Sequence, residues 1–132
     1  MSEPDGVIIE KTPKTPYVNF DASTGHLILK GKSIPENVIS FYKPLSDWLE
    51  HYIQAPKEKT VFEIQLDYFN TSSAKVLLDL LKKTEQIQTQ GKGEVVLNWL
   101  YDEDDEDMME AGEDFKTSLR IKLNLISFKR ED

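Results

Sequence analysis

The spacing of hydrophobic residues changes repeatedly along this 132-residue chain. From Pro35 onward, the three-and-four spacing typical of an amphipathic helix alternates with the every-second-residue spacing typical of a half-buried strand. The alternation predicts the order helix, strand, helix, strand, helix, strand. Because parallel strands joined by helices need right-handed crossovers, this order predicts an α/β fold with a largely parallel inner sheet.

Three stretches carry the helical spacing. The first follows Pro35 and places on one face Val38, Phe41, Tyr42, Leu45, Trp48, Leu49, Tyr52 and Ile53. Pro44 lies inside this stretch and predicts a kink or a break, because proline removes one backbone donor. The second helix, "SAKVLLDLLKKTEQIQTQ", is predicted to bury Ala74, Leu77, Leu78 and Leu81, and the third to bury Met108, Met109, Gly112, Phe115 and Leu119.

The strands alternate apolar and polar residues. In "TVFEIQLDYF" the predicted inward side chains are Phe62, Ile64, Leu66 and Tyr68. "EVVLNWLY" and "RIKLNLISF" are further strands, and short strands before Pro35, separated by prolines and glycines, predict an antiparallel edge. Since these strands alternate instead of being apolar throughout, we expect a mixed sheet with helices mainly on one face.

Length and composition define the class of protein. The chain is about one domain long, so we expect a single domain over residues 1–132 with flexible ends at 1–6 and 129–132. It lacks cysteine, and no stretch has the length of a signal peptide core or of a membrane helix, which predicts a cytoplasmic protein without a membrane partner. The net charge of -8 argues against a nucleic-acid partner, because the phosphate backbone repels an acidic surface.

Motifs for catalysis are not found. The sequence contains no His-Glu-x-x-His, no G-x-S-x-G and no phosphate-binding glycine loop, so we expect no catalytic residue, no cofactor and no metal. The six carboxylates from Asp102 to Asp107 match an EF-hand count in part, but Asp107 stands where the loop needs glycine. Acids that complement the positive end of a helix are the favoured explanation. A metal-dependent hydrolase and a patch for a basic partner remain alternatives.

The stretch "LDYFNTSSAKVLLDLL" contains more hydroxyls than a helix start requires. Asn70, Thr71, Ser72 and Ser73 separate the predicted strand from the predicted helix, and one of them suffices as N-cap. Ligands approach open α/β sheets at such strand ends, and the start of a helix favours an anion. A phosphoryl group on Thr71, Ser72 or Ser73, or a small anion or nucleotide bound without covalent attachment, would fit this turn. The residues alone do not choose among these.

Several stretches carry a resemblance to a known family. They are Pro35-Glu36-Asn37, Asp47-Trp48-Leu49-Glu50, Tyr68 with Asn70-Thr71-Ser72-Ser73 and Lys75, Trp99 with Tyr101-Asp102, and Glu113-Asp114-Phe115. On these residues the chain resembles the SiaC family of bacterial regulatory phosphoproteins, which is similar to the anti-sigma-factor antagonists with the STAS fold. The likeness spans about residues 7 to 128, and the turn is its most specific part.

The resemblance implies a regulator that is not an enzyme. In such proteins a dedicated protein kinase phosphorylates one threonine of the turn, and a PP2C-like phosphatase removes the phosphate; that threonine corresponds to Thr71. The unphosphorylated form binds and activates a diguanylate cyclase, which connects the switch to cyclic-di-GMP and biofilm signalling. Our hypothesis is that Thr71 is modified and that Asn70, Ser72, Ser73 and Lys75 form the partner-binding switch loop, with a serine, Ser72 or Ser73, capping the helix.

Overall fold

A computed structural model describes residues 4–130 of the chain, so the predicted flexible ends lie partly outside the described residues. The described part is one α/β domain with a single sheet and three helices. The strands are β1 (Val7–Ile9), β2 (Tyr17–Asp21), β3 (His26–Ser33), β4 (Lys59–Phe69), β5 (Glu94–Asp102) and β6 (Leu123–Phe128). The helices are α1 (Val38–Tyr52), α2 (Thr71–Thr89) and α3 (Glu106–Ser118).

The sheet follows the order of the chain, β1-β2-β3-β4-β5-β6. The first three strands pair antiparallel and β3 to β6 pair parallel, which confirms the predicted mixed sheet with an antiparallel edge. Because every parallel crossover proceeds in the same direction, right-handed connections put all three helices on one face. One row of paired residues on that face, Leu27, Phe62, Leu97 and Leu123, is buried, whereas the next row, Ile28, Glu63, Asn98 and Asn124, is only half-buried.

Helix α1 buries the residues that its spacing predicts, among them Tyr42, Leu45, Trp48, Leu49 and Tyr52. It is continuous through Pro44, so the break allowed by the sequence does not occur. Pro44 is exposed, and so is Ser40, whose carbonyl lacks a helical donor because of the proline. Water can reach that carbonyl, which lowers the cost of the missing hydrogen bond.

Helix α2 departs from its predicted register: Ala74, like Leu78, is only partly buried. Leu77 and Leu81 are buried as predicted, but Leu78 is only partly buried and Leu80 is fully buried. The buried stripe continues to Thr84, whose hydroxyl donates to the carbonyl of Leu80 at 2.8 Å. Within residues 4–130, neither this helix nor the two others combine the length and the apolar character that a bilayer crossing requires.

A bulge near the end of β4 reverses the predicted alternation. Gly31 of β3 pairs with Leu66, but the next residue, Lys32, pairs with Tyr68, so β4 contains one extra residue there. The prediction that Tyr68 faces the core is therefore wrong, since its side chain is 55% exposed. Phe69 faces the helices instead, with its ring centroid 6.0 Å from that of Trp99.

Candidate functional site: the turn from β4 to α2

The candidate site lies where β4 ends and α2 begins, near the middle of the parallel part of the sheet. The carboxyl ends of β3, β4, β5 and β6 share this edge because the four strands are parallel. In open α/β sheets this is the edge at which ligands and partners approach. The turn predicted from the sequence therefore lies at the expected functional edge.

Asn70 caps helix α2. Its backbone is extended (φ -86°, ψ 171°), and its Oδ1 accepts a hydrogen bond from the backbone N–H of Ser73 at 3.0 Å. The hydroxyl of Ser72 donates to the same Oδ1 at 3.1 Å. The prediction that a serine caps the helix is therefore wrong, because Thr71 and both serines already belong to the helix. Asparagine is as good an N-cap as serine.

Ser73 lies beneath the turn and is 0% exposed. Its hydroxyl donates to the carbonyl oxygen of Ser33 at 3.0 Å and accepts from Ser33 Oγ at 2.9 Å. Ser33 Oγ also lies 2.5 Å from the hydroxyl of Tyr42 in α1. The structure thus separates Ser73 from the exposed partner surface predicted for it. Spacing in the sequence could not reveal Ser33 or Tyr42, since both are distant along the chain.

Thr71, Ser72 and Lys75 are exposed, and Asn70 is half-buried. Among residues 4–130 the hydroxyl of Thr71 has no hydrogen-bond partner, whereas that of Ser72 donates to Asn70 Oδ1 and that of Ser73 bonds to both oxygens of Ser33. Lys75 forms no ion pair with a carboxylate in the same part of the chain. Of the three hydroxyls in the turn, that of Thr71 is therefore the one that is both accessible and unpaired.

Two exposed hydrophobic side chains lie at this edge of the sheet, one before the turn and one at the start of α1. Tyr68 precedes it in β4 and is 55% exposed, and Ile39 in the first turn of α1 is 64% exposed. Ile39 lies at a groove of about 410 Å³ between α1 and α2, which Val76 and Leu80 also line. Tyr68 therefore offers exposed apolar surface three residues before Thr71, and Ile39 offers it at the groove between α1 and α2.

The acidic run lies at the start of α3. Asp105 is the N-cap, its Oδ1 accepting from the N–H of Met108 at 3.1 Å, and Glu106 and Asp107 occupy the first turn. This confirms the prediction that acids complement the helix start. Arg130 binds Asp67 and lies 3.6 Å from Asp102, and the hydrogen bond from Asp67 raises the pKa of Arg130. In the described range 4–130, no three His, Asp or Glu side chains converge as metal ligands.

The fold and the turn together describe a small α/β domain with an exposed threonine at the carboxyl edge of its sheet. A family model described as "SiaC family regulatory phosphoprotein" matches residues 9–128, and the chain belongs to that family. A protein of Pseudomonas aeruginosa (strain UCBPP-PA14), uncharacterised by its name, is 33% identical over 108 residues, which cover 82% of this chain and 85% of that protein.

Solved structures of the family have the same fold. A chain in the crystal structure of the diguanylate cyclase SiaD in complex with its activator SiaC, from Pseudomonas aeruginosa, matches with a TM-score of 0.86 and 29% identity, covering 92% of this chain and 99% of that one. SiaC of Pseudomonas aeruginosa matches with a TM-score of 0.84 and 28% identity, covering 97% of this chain and 100% of that one. The family model names regulatory phosphoproteins, and SiaC activates an enzyme; the chain is a regulator and not itself an enzyme.

Proposed function

We propose that this chain is a switch protein whose activity depends on phosphorylation of Thr71, and that its unmodified form binds and activates a diguanylate cyclase. One observation carries the proposal: in a chain of the SiaC family, the Thr71 hydroxyl is exposed and has no hydrogen-bond partner among residues 4–130. The partner is proposed because SiaC, 29% identical over most of this chain, activates the diguanylate cyclase SiaD. The output is control of cyclic-di-GMP and of biofilm formation.

The chemistry requires only a nucleophile from this chain. Thr71 Oγ1 attacks the γ-phosphorus of ATP bound to a protein kinase, a new O–P bond forms, and the bond to the ADP oxygen breaks. The hydroxyl proton passes to a base of the kinase. A PP2C-like phosphatase reverses the step with water as nucleophile, which releases inorganic phosphate and restores the hydroxyl. Because the kinase draws on ATP, we place this switch in the cytoplasm.

The surroundings of Thr71 explain how a phosphoryl group would change partner binding. It adds nearly two negative charges three residues after Tyr68, whose exposed side chain offers apolar contact area at the turn. A partner that buries this surface would have to desolvate the charge, which is costly without a paired cation. Lys75, one helical turn after Thr71 and without a carboxylate partner in residues 4–130, can pair with the phosphate. Burying the phosphate together with Lys75 still costs more than burying the unmodified hydroxyl, because both charges lose their water, so modification lowers affinity.

Mass spectrometry of the protein from its native cells tests the modification. We expect a fraction that carries one phosphoryl group, located on Thr71 by fragmentation of the peptide. Thr71→Ala should remove that fraction, and the matched variant Ser72→Ala should keep it. A protein without phosphate on residues 71–73, or with phosphate that persists in Thr71→Ala, would contradict the assignment.

The effect on the partner has its own measurement. Purified unmodified chain should raise the rate at which its cognate diguanylate cyclase converts GTP to cyclic-di-GMP, and the phosphorylated fraction should raise it less. Equal activation by both fractions would show that phosphorylation of Thr71 does not control the activity of the cyclase.

A noncovalent anion site at the same turn is the competing proposal. It is favoured by the first-turn N–H groups of Thr71 and Ser72, which have no acceptor within the helix. It predicts that inorganic phosphate or ATP raises the melting temperature and that Thr71→Ala reduces the rise without any kinase. An unchanged melting temperature counts against it and leaves the phosphorylation switch as the explanation of the turn.

A further inference from the structure

Three buried hydroxyls from three elements meet beneath the Thr71 turn. They belong to Ser33 at the end of β3, Tyr42 in α1 and Ser73 in α2, and their side chains are at most 1% exposed. Ser33 Oγ lies 2.5 Å from Tyr42 OH and 2.9 Å from Ser73 Oγ. We call this set the hydroxyl chain. Neither capping of α2 nor the partner surface accounts for it.

The direction of the protons in the hydroxyl chain follows from its geometry. Ser73 donates to the carbonyl oxygen of Ser33, and Ser33 Oγ donates to Ser73 Oγ. Each hydroxyl donates only once, so in the contact between Ser33 and Tyr42 the phenol of Tyr42 donates and Ser33 Oγ accepts. Burial raises the pKa of Tyr42 to about 12, so the phenol keeps the proton that it donates.

The carbonyl oxygen of Ser33 is a common anchor for both ends of the exposed segment. It accepts the backbone N–H of Asn70 at 3.0 Å and the hydroxyl of Ser73 at 3.0 Å. Only Thr71 and Ser72 lie between these two anchored residues. The segment that presents the acceptor threonine is therefore fixed at each end to one atom of β3.

We propose that Ser73, Ser33 and Tyr42 are positioning residues that present Thr71, and not Ser72, to the kinase. The inference rests on the proposed phosphorylation of Thr71. A nucleophile reacts only when it is held close to and in line with the phosphorus, and a displacement of about 1 Å costs up to about a hundredfold in rate. With both ends anchored, Ser72 Oγ donates to Asn70 Oδ1, while Thr71 Oγ1 has no hydrogen-bond partner among the described residues. Without the Ser73 hydroxyl, this end is held to the turn only by the cap hydrogen bond to Asn70 and no longer to β3, so Ser72 Oγ can take the position of Thr71 Oγ1.

The decisive measurement is the distribution of phosphate between Thr71 and Ser72 in protein purified from native cells. In Ser73→Ala we expect Thr71 phosphate to fall about tenfold and the share on Ser72 to rise, because the anchor is lost. Ser73→Thr keeps the hydroxyl and should restore the preference for Thr71. Tyr42→Phe removes only the outer donor and leaves the Ser33 to Ser73 contacts, so a smaller loss, about two- to threefold, is expected.

Tyr52→Phe is the matched control. Tyr52 is equally buried in α1, and its hydroxyl contacts Thr60 Oγ1 at 2.8 Å, but it belongs to the other end of the helix. This variant should leave the phosphate distribution unchanged although it also loses a buried hydroxyl. If phosphate on Thr71 falls in all variants in proportion to lost stability, the effect is one of folding and the proposal is overturned.

The outcomes separate the two proposals. Wild-type protein phosphorylated on Thr71, together with Ser73→Ala of unchanged occupancy and selectivity, overturns the positioning role and leaves the switch intact. Wild-type protein without phosphate on Thr71 overturns the switch, and the positioning role with it. If Ser73→Ala does not fold, Tyr42→Phe against Tyr52→Phe decides alone, and equal phosphate in these two variants overturns the positioning role.

Discussion

Asn70 and Ser73 hold the first turn of α2 from opposite sides. The side-chain oxygen of Asn70 accepts the N–H of Ser73 at 3.0 Å, and the hydroxyl of Ser73 donates to the carbonyl of Ser33 below. Capping and anchoring are therefore performed by different residues. Thr71 takes part in neither, so its hydroxyl is exposed and has no hydrogen-bond partner in the part of the chain that the structure describes.

Loss of the cap should destabilise the protein. Asn70→Ala removes the acceptor of the Ser73 N–H, and we expect the free energy of unfolding to fall by about 0.5 to 2 kcal/mol. Asn37→Ala is the matched control, because Asn37 caps α1 by accepting from the N–H of Ser40 at 3.1 Å. Urea denaturation measures both. Both variants should lose stability, but only Asn70→Ala should alter phosphorylation of Thr71.

Gly112 of α3 packs directly against Trp99 of β5. A Cβ at this position would lie 2.6 Å from Trp99 Cδ1 and 2.8 Å from Leu125 Cδ2. The indole cannot retreat, because it is fully buried and its Nε1 donates to the carbonyl of Met108 at 2.8 Å. Gly112→Ala should therefore cost about 1 to 3 kcal/mol in thermal or urea unfolding. Glu113→Ala at the exposed next position should stay within about 0.5 kcal/mol, and equal effects would contradict the close packing.

The order of elements could be predicted because hydrophobic periodicity is local. From Pro35 onward, the hydrophobic spacing within each segment indicates whether it is a helix or a strand. Right-handed crossovers between successive strands then predict the parallel sheet. The bulge in β4 could not be predicted this way. "LDYF" continues an alternation that would bury Tyr68, whereas the pairing with Lys32 inserts a residue and buries Phe69. A register shift depends on the partner strand, which periodicity does not describe.

The location of the site could be predicted from the sequence, but the role of each residue in the turn could not. The surplus of hydroxyls marked the turn, yet any of four residues could cap the helix on propensity alone. The choice of Asn70 follows from where the helical backbone begins, and the burial of Ser73 follows from contact with Ser33, 40 residues earlier in the chain. Contacts at such separation leave no local pattern in one sequence.

The burial observed in α2 predicts which leucine contributes more to stability. Leu80 is fully buried and Leu78 only partly, so Leu80→Ala should cost about 2 to 5 kcal/mol. Leu78→Ala should cost clearly less, because fewer contacts are lost at a half-exposed site. Denaturant unfolding of the two variants compares them directly. A larger loss for Leu78→Ala would show that the helix is rotated relative to the structure.

The raised pKa of Tyr42 predicts that the protein loses stability at alkaline pH. Burial raises its pKa to about 12 in the folded protein, against the ordinary tyrosine value of about 10 in the unfolded chain. Between these values the unfolded state releases the proton while the folded state keeps it. The resulting stabilisation is complete below pH 10 and is lost as the pH rises toward 12, by about 2 to 3 kcal/mol in total.

Comparison with Tyr42→Phe isolates this contribution from other groups that titrate in the same range. The difference in unfolding free energy between wild type and Tyr42→Phe should shrink from about pH 10 upward. Chemical denaturation at a series of pH values measures it. A difference that stays constant to pH 12 would mean that the phenol of Tyr42 ionises as easily in the folded protein as in the unfolded chain.

The exposed apolar side chains at the carboxyl edge of the sheet predict where the proposed diguanylate cyclase partner makes contact. Tyr68 and Ile39 are exposed in the free protein, so truncation to alanine should leave stability within about 0.5 kcal/mol. Binding of the cyclase should weaken about tenfold or more for each, as truncation of buried interface anchors does. Ile8 and Ile126 are also exposed, but they lie on the edge strands β1 and β6, away from the turn, so their alanine variants should bind normally. Calorimetric titration of the four variants locates the contact. Weakened binding for Ile8→Ala and Ile126→Ala, with Ile39→Ala and Tyr68→Ala unaffected, would place the partner on the edge strands, away from the turn, where a phosphate on Thr71 could not block it.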